Sequence, residues 1–271
     1  MENQLFSVKD KVIILTGGSG ILGSSMAKYL ASEKAKVVIL DRNAEAGKKL
    51  EEEINATGCI SLFLETDVLN KSVLEQNRKD ILDAFGTIDV LINLAGGNMP
   101  GATIPPDKTF FDLDIDAFRK VVDLNLFGTV LPTMVFARVM ADNKKGCIIN
   151  ISSESALRPL TRVVGYGCAK AAISNFTQYM AGEMSTKFGE GIRVNAIAPG
   201  FFLTEQNRAL MSNPDGTPTD RCKTVMAHTP FGRLGRPDEL LGTVQWLASE
   251  ASAFVTGTII PIDGGFDAFS I

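Results

Sequence analysis

Tyr166 and Lys170 are the residues whose chemistry follows most directly from type and spacing. They stand four apart in a stretch, 164–188, that reads as a helix, so they stack on one face of it. A free phenol ionises near ~10 and is a poor base at neutral pH. A neighbouring ammonium favours the phenolate and lowers that value. A phenol tuned in this way can take a proton from an alcohol or give one to a carbonyl. The spacing alone is a weak signal, because a tyrosine and a lysine fall at it by chance in many helices. His228 is the only histidine. A lone histidine is more often structural than catalytic, and Tyr166 already fills the acid/base role.

The second legible chemistry is anion binding. The run Thr16-Gly17-Gly18-Ser19-Gly20-Ile21-Leu22-Gly23 joins a short apolar segment, 11–16, to a helical one, 21–32. Glycines let the backbone curl tightly and approach a pyrophosphate with no Cβ in between, and the helix start offers free N–H groups. A Gly-rich run by itself is often only a turn, but here a strand precedes it, a helix follows and an acid lies downstream. That acid is Asp41, at the end of the next apolar run. A carboxylate there accepts hydrogen bonds from the adenosine ribose and repels a 2′-phosphate, which favours NAD(H). Arg42 beside it could receive a 2′-phosphate instead, so NADP(H) stays open. An oxidised nicotinamide near Tyr166 would bring a positive charge and lower the phenol further.

Both sites depend on the elements that carry them. Apolar runs at 11–16, 36–40, 60–65, 88–93, 147–152, 193–198 and 258–262 read as buried strands. Helical stretches at 21–32, 42–55, 71–85, 115–141 and 164–188 alternate with them, and a last helix starts near Pro237. Strict alternation predicts an α/β fold, a doubly wound Rossmann sheet of seven parallel strands with helices on both faces. No repeat, low-complexity run or linker divides the chain, so a single domain over 1–271 is expected. Residues 201–227 are polar and irregular, with Pro214 and Pro218, and read as a mobile segment that covers the substrate.

The bulk numbers narrow the class of partner. The 271 residues carry 27 basic and 31 acidic side chains, a formal net charge of -4, which is not the basic footprint of a nucleic-acid binder. The four cysteines are scattered with no metal-ligand spacing, so no metal is expected. The start lacks a basic segment followed by an apolar one. The longest charge-free stretch, 90–106, is broken by prolines and glycines and is no membrane span. These point to a cytoplasmic enzyme with a small-molecule substrate.

Further residues give the Tyr–Lys pair its specificity. Ser153 stands thirteen residues before Tyr166, at the end of a predicted strand. Asn93-Leu94-Ala95-Gly96 follows the fourth strand, Asn125 sits in Leu124-Asn125-Leu126-Phe127-Gly128, and Pro199-Gly200 follows the sixth. With the glycine turn, this set resembles the short-chain dehydrogenase/reductase family, in order, from about Lys11 to Gly265. The resemblance implies that Tyr166 is the acid/base and that Ser153 hydrogen-bonds the substrate oxygen. It also implies that Lys170 holds the ribose hydroxyls and lowers the Tyr166 pKa, and that Asn125 anchors a water linking Lys170 to solvent. The cofactor would lie against Gly17, Ser19, Gly20, Ile21 and Leu22, Asp41 and Arg42, Asp67 and Val68, and Asn93, Ala95 and Gly96. Beyond the sixth strand it would meet Pro199, Gly200, Phe202 and Thr204, with Tyr166 and Lys170 at its ribose. A homotetramer is implied, packed through the helices of Asn125 and Tyr166 and the C-terminal strand region, where Asp263-Gly264-Gly265 matches a structural motif. Two departures stand out. The middle glycine of the turn comes one residue early for a short single-domain member, and Leu94 replaces a usual asparagine.

The substrate should be met by the loops after strands four, five and six. Those loops hold Asn98, Arg158, Arg162, Phe201, Phe202, Gln206, Asn207 and Arg208, a set that suits a small, polar, anionic substrate. The wording of residues 158–162, 199–210 and 228–230 is similar to bacterial D-mannonate oxidoreductases, the fructuronate reductases. That resemblance implies reduction of the ketone of D-fructuronate to give D-mannonate. Asn98 and Ser153 would then meet the substrate, with Arg158 or Arg208 at its carboxylate. Gluconate or deoxygluconate dehydrogenases and 3-oxoacyl reductases are the neighbouring alternatives, and a non-enzymatic dinucleotide sensor is the distant one.

Overall fold

Seven apolar runs become the strands of one parallel sheet, ordered β3-β2-β1-β4-β5-β6-β7 in a computed structural model that describes residues 4–204 and 207–269. In chain order the elements begin β1 (Val12–Thr16), α1 (Ile21–Ser32), β2 (Lys36–Asp41), α2 (Ala44–Asn55), β3 (Ile60–Glu65), α3 (Lys71–Phe85) and β4 (Val90–Asn93). There follow α4 (Ile115–Val122), α5 (Gly128–Asn143), β5 (Gly146–Ile151), α6 (Glu154–Leu157), α7 (Val164–Phe188) and β6 (Ile192–Pro199). The chain closes with α8 (Arg208–Met211), α9 (Asp220–His228), α10 (Leu241–Ala248) and β7 (Ile259–Ile262).

The central strands are buried at every position because both faces are covered. Along β1, Ile13 and Leu15 join one core cluster with Met26 and Leu30 of α1 and Val244 and Leu247 of α10. Val12 and Ile14 point the other way, into a cluster with Leu74 and Ile81 of α3, Phe136 and Met140 of α5, and Met184 of α7. The period of two along a strand divides the side chains between these layers. Burying each such side chain is worth about 1.5–3 kcal/mol, enough in sum to hold the strand ends as a rigid platform. At those ends the register puts Thr16 opposite Asn93 and Asn93 opposite Asn150, a polar row where the apolar strands stop.

Three expectations need correction. The helix predicted over 115–141 is two helices joined by a π-helical turn, Asp123–Phe127. Its cause is tertiary: the buried Asn125 amide Nδ2 donates to Gly97 O at 2.7 Å and to Val121 O at 2.8 Å, while Oδ1 accepts from Gly97 N at 3.0 Å. Such turns recur at functional sites because they re-aim one side chain without ending the helix. Second, the segment 201–227 carries α8 and α9, and Thr219 caps α9 by accepting from Cys222 N at 3.2 Å. Third, the last helix opens as a 3₁₀ turn, Pro237–Leu240, before α10. The run Ile115–Asn143 has the length and apolarity to cross a membrane, but 56% of its most apolar window is buried inside the fold.

Candidate active site

A hydrogen-bonded chain of side chains lies under the site and holds four elements together. Asn93 Nδ2, at the end of β4, donates to Thr133 Oγ1 of α5 at 2.9 Å and to Asn150 Oδ1 of β5 at 2.9 Å. Asn150 Nδ2 passes on to Thr177 Oγ1 of α7 at 2.9 Å. All four residues are buried, so each bond replaces one that water would otherwise make. Asn93 thus fixes β4, α5 and β5 despite Leu94 at the next position. Thr16 Oγ1 accepts from Leu94 N and Ala95 N, both at 3.1 Å, and ties the glycine turn to the same platform.

The glycine turn is shaped as a cradle that no larger residue would fit. Gly17 has φ +64°, and a Cβ on it would lie 2.9 Å from Ala95 Cα. A Cβ on Gly23 would come within 2.6 Å of Gly17 O. Gly20 caps α1 with no side-chain hydrogen bond, and Ile21 and Leu22 form its first turn, so the helix start keeps donors for an anion. The early middle glycine therefore leaves a usable phosphate cradle. Asp41 ends β2, where Oδ2 accepts from Ser19 N at 3.1 Å and Oδ1 from Asn43 N at 3.0 Å. Each oxygen has a further lone pair for a ribose hydroxyl. Arg42 is exposed beside it, Asp67 is exposed with Oδ1 bonded to Leu69 N at 2.9 Å, and Val68 is buried against Gly128.

On the far side of the sheet, Pro199 ends β6, and Gly200 lies so close to the C-terminal segment that a Cβ would come 2.7 Å from Asp263 Cα. Phe202 turns its ring into the core, so only its backbone is offered to a ligand. Thr204 N donates to Asn207 Oδ1 at 2.8 Å, and Asn207 Nδ2 to Phe202 O at 2.7 Å, which holds this stretch in a compact turn. Gln206 lies outside the described residues. A glycine-turn cradle with an acid at the second strand and a second wall at Gly200 fits a dinucleotide.

The proton-transfer group is assembled from β5 and α7. Ser153 follows β5 and caps α6, its Oγ accepting from Ser155 N at 3.2 Å. The same hydroxyl acts on the Tyr166 phenol, opposing the rise that burial gives its pKa. Lys170 is buried one helical turn on, donating to Ile151 O at 2.7 Å with Nζ 5.5 Å from the Tyr166 ring centre. Gly96 closes the group, since a Cβ there would lie 2.6 Å from Asn125 Oδ1 and 3.4 Å from Lys170 Nζ. Ser153, Tyr166, Lys170, Asn125 and Gly96 converge from four segments. Asn125 spends its side chain on positioning the Gly97 turn.

The electrostatics revise one expectation. Burial raises the Tyr166 pKa above its ordinary value, and the Ser153 hydrogen bond lowers it by less. The same desolvation pushes Lys170 down to about 7, so near neutrality its ammonium is only partly charged. Lys170 therefore does less to acidify the phenol than the spacing alone implies. The phenol stays protonated at neutral pH, the form that can give a proton.

The proposed substrate residues divide. Asn98 Nδ2 donates to Thr103 Oγ1 at 2.7 Å, while its Oδ1 is buried without a partner among the described residues. Arg158 does not reach toward a ligand: Nε donates to Asp267 Oδ1 at 2.9 Å and Nη2 to the Asp267 carbonyl. The C-terminal segment claims it, through a contact 109 positions away that no local pattern announces. Arg208 is exposed at the start of α8. His228 ends α9 with Nδ1 3.0 Å from Thr224 O, a local helical contact. A cavity of about 240 Å³ beside Phe201, Arg233 and Asp263 is lined by none of the candidate catalytic residues.

Glu154 was missed by sequence reasoning. It follows Ser153, is 1% exposed, and neither carboxylate oxygen has a hydrogen-bond partner among the described residues. Burial, then the charges of Asp263 and Asp267, push its pKa up to about 8, against the pull of Arg158. Its signal was the pair Ser153-Glu154, a cap followed by a first-turn acid.

Comparison with known proteins agrees with this geometry. A family model described as enoyl-(acyl carrier protein) reductase matches residues 18–267. An uncharacterized oxidoreductase of Bacillus subtilis is 46% identical, covering 96% of this chain and 96% of its own. A short chain dehydrogenase/reductase of Aspergillus oryzae is 32% identical, covering 97% of each chain. A solved structure from Haemophilus influenza, given provisionally as a D-mannonate oxidoreductase and containing bound NAD, superposes with a TM-score of 0.91. It is 45% identical, with 97% of each chain covered.

Proposed function

The chain belongs to the short-chain dehydrogenase/reductase family, and from that premise we propose that it is an NAD-dependent reductase of a sugar-acid ketone, converting D-fructuronate to D-mannonate. The observation that carries the reading is the convergence of Ser153 and Tyr166 over a buried Lys170, beside a dinucleotide cradle. A nicotinamide held in that cradle would supply the hydride. Ser153 donates to the ketone oxygen, and Tyr166 delivers the proton that the new alkoxide needs. Lys170, beneath the Tyr166 ring, binds the cofactor ribose. Gly17, Gly20 and Gly23 let the backbone approach the pyrophosphate, and Asp41 takes the ribose hydroxyls, which selects NAD(H) over NADP(H).

A polyhydroxylated acid suits the loops around the site. The unpartnered Asn98 Oδ1 is available to a substrate hydroxyl. The NAD-containing relative supports both cofactor and substrate class. The reading extends to a single domain whose segment 201–227 moves to cover the substrate, and to a homotetramer in the cytoplasm. Exposed Phe127, Met134 and Tyr179 on the helices of Asn125 and Tyr166 give such an assembly apolar surface to bury.

The test is a panel of keto sugar acids, including D-fructuronate and 5-ketogluconate, assayed with NADH and with NADPH. Turnover of D-fructuronate with the highest kcat/KM, and NADH favoured at least about tenfold, is the expected result. No turnover of D-fructuronate beside good turnover of another compound overturns the substrate.

A further inference from the structure

Two arginines lie close at the rim of the site, and among the described residues neither is in an ion pair. Arg162 lies in the loop between α6 and α7, four residues ahead of Tyr166, and Arg221 lies in the first turn of α9. They come from the chain that follows β5 and the chain that follows β6, the ends of an open parallel sheet where ligands bind. Arg221 Nη1 donates to Thr161 Oγ1 at 3.3 Å, so α9 touches the loop at this point. Arg162 O accepts from Ile104 N at 3.0 Å, which brings in the loop after β4 as well. Arg162 holds a left-handed backbone, φ 74°, without being a glycine. Such a conformation is costly and persists only where its surroundings fix it, as they do at many ligand sites.

The charges are close enough to act on each other. Burial, then the like charge of Arg162, holds Arg221 below the usual guanidinium range. Asp220, the acid next to Arg221 in the chain, is paired with Lys223 at 3.0 Å. Among the described residues neither guanidinium forms an ion pair, whereas Arg158 on the same loop is held by Asp267. Like charges forced together at a half-buried rim repel, and a carboxylate between them would reverse the sign of the interaction. Guanidinium forks also match a carboxylate in shape, two N–H donors to two oxygens.

We infer that Arg162 and Arg221 together bind the substrate carboxylate, and that this pair selects a keto acid over a neutral ketone. The inference rests on the sugar-acid reading above and names the groups that read its charged end, in place of Arg158 and Arg208. A carboxylate held by both arginines ties the chain after β6 to the loop before Tyr166 and closes the mouth from two sides.

The experiment compares wild type with Arg162→Gln and Arg221→Gln, using the best keto acid of the panel and its neutral methyl ester. Each substitution is expected to raise KM for the acid about 10- to 100-fold, the loss of a charge-assisted hydrogen bond, with kcat changed far less. KM for the ester and NADH affinity by fluorescence titration should stay constant, and Arg221→Lys should recover part of the loss. KM for the acid within about twofold of wild type in both variants overturns the inference. If the wild type reduces another keto acid instead of D-fructuronate and both variants lose it, the arginine site stands while D-fructuronate falls. If the wild type reduces the methyl ester and none of the keto acids, both fall.

Discussion

Replacing Tyr166 with phenylalanine is expected to lower kcat about 10²- to 10⁴-fold while leaving NADH affinity within a few-fold of wild type. The substitution keeps the ring and removes one oxygen, the atom on which Ser153 acts. Folding loses one hydrogen bond, worth about 1 kcal/mol, so thermal melting should change little. The proposed cofactor contacts lie mainly on the glycine turn and Asp41, which the ring does not support. The loss must therefore appear in the chemical step. Because burial keeps the phenol protonated near neutrality, reduction should hold its rate across neutral pH and fall only at alkaline pH, where the proton leaves. Steady-state kinetics with a cofactor titration reads both parts, and near-normal kcat in the variant contradicts the acid/base assignment.

Glu154→Gln is expected to stabilise the protein increasingly as pH rises. The wild-type carboxyl ionises near its ordinary 4.5 when unfolded and at about 8 when folded, because it is buried beside Asp263 and Asp267. Between those values the unfolded chain has released the proton and the folded chain has not. Stability is then fully present below about pH 4.5 and is lost progressively up to about pH 8. The glutamine variant carries no such proton, so its advantage grows through that window and levels off above it. The full difference is on the order of a few kcal/mol. Lys170 works in the opposite sense, its depressed pKa adding stability as pH rises above about 7. It does so equally in both proteins and cancels in the comparison. Paired denaturation curves across the range decide it, and a gap independent of pH contradicts the assignment.

Much of this was legible from residue order because the causes are local. Strands such as β1 and β2 are buried on both faces, and continuous apolar runs can be read without knowing their partners. The glycine turn and the Tyr166–Lys170 spacing encode their geometry within a few residues. What escaped has distant causes. The π turn inside the predicted helix depends on Asn125 reaching Gly97, while Leu124, Leu126 and Phe127 keep the helical pattern intact. Arg158 was drawn to the substrate because it lies in the right loop; Asp267, far along the chain, takes it instead. Arg221 sits in a polar stretch with Pro214 and Pro218, where composition hid a capped helix. The Tyr166 pKa was misjudged because spacing reveals a neighbouring charge and not how deeply both groups are desolvated.

The most direct test of the central claim follows the hydride itself. D-fructuronate is incubated with NADH carrying deuterium at the transferable nicotinamide position, and the product is read by NMR and mass spectrometry. The expected product is D-mannonate with a single deuterium on the carbon that was the ketone, formed by wild type and not by Tyr166→Phe. Oxidation of NADH with no deuterium in the sugar acid, or D-fructuronate recovered unreduced, would contradict the proposed reaction.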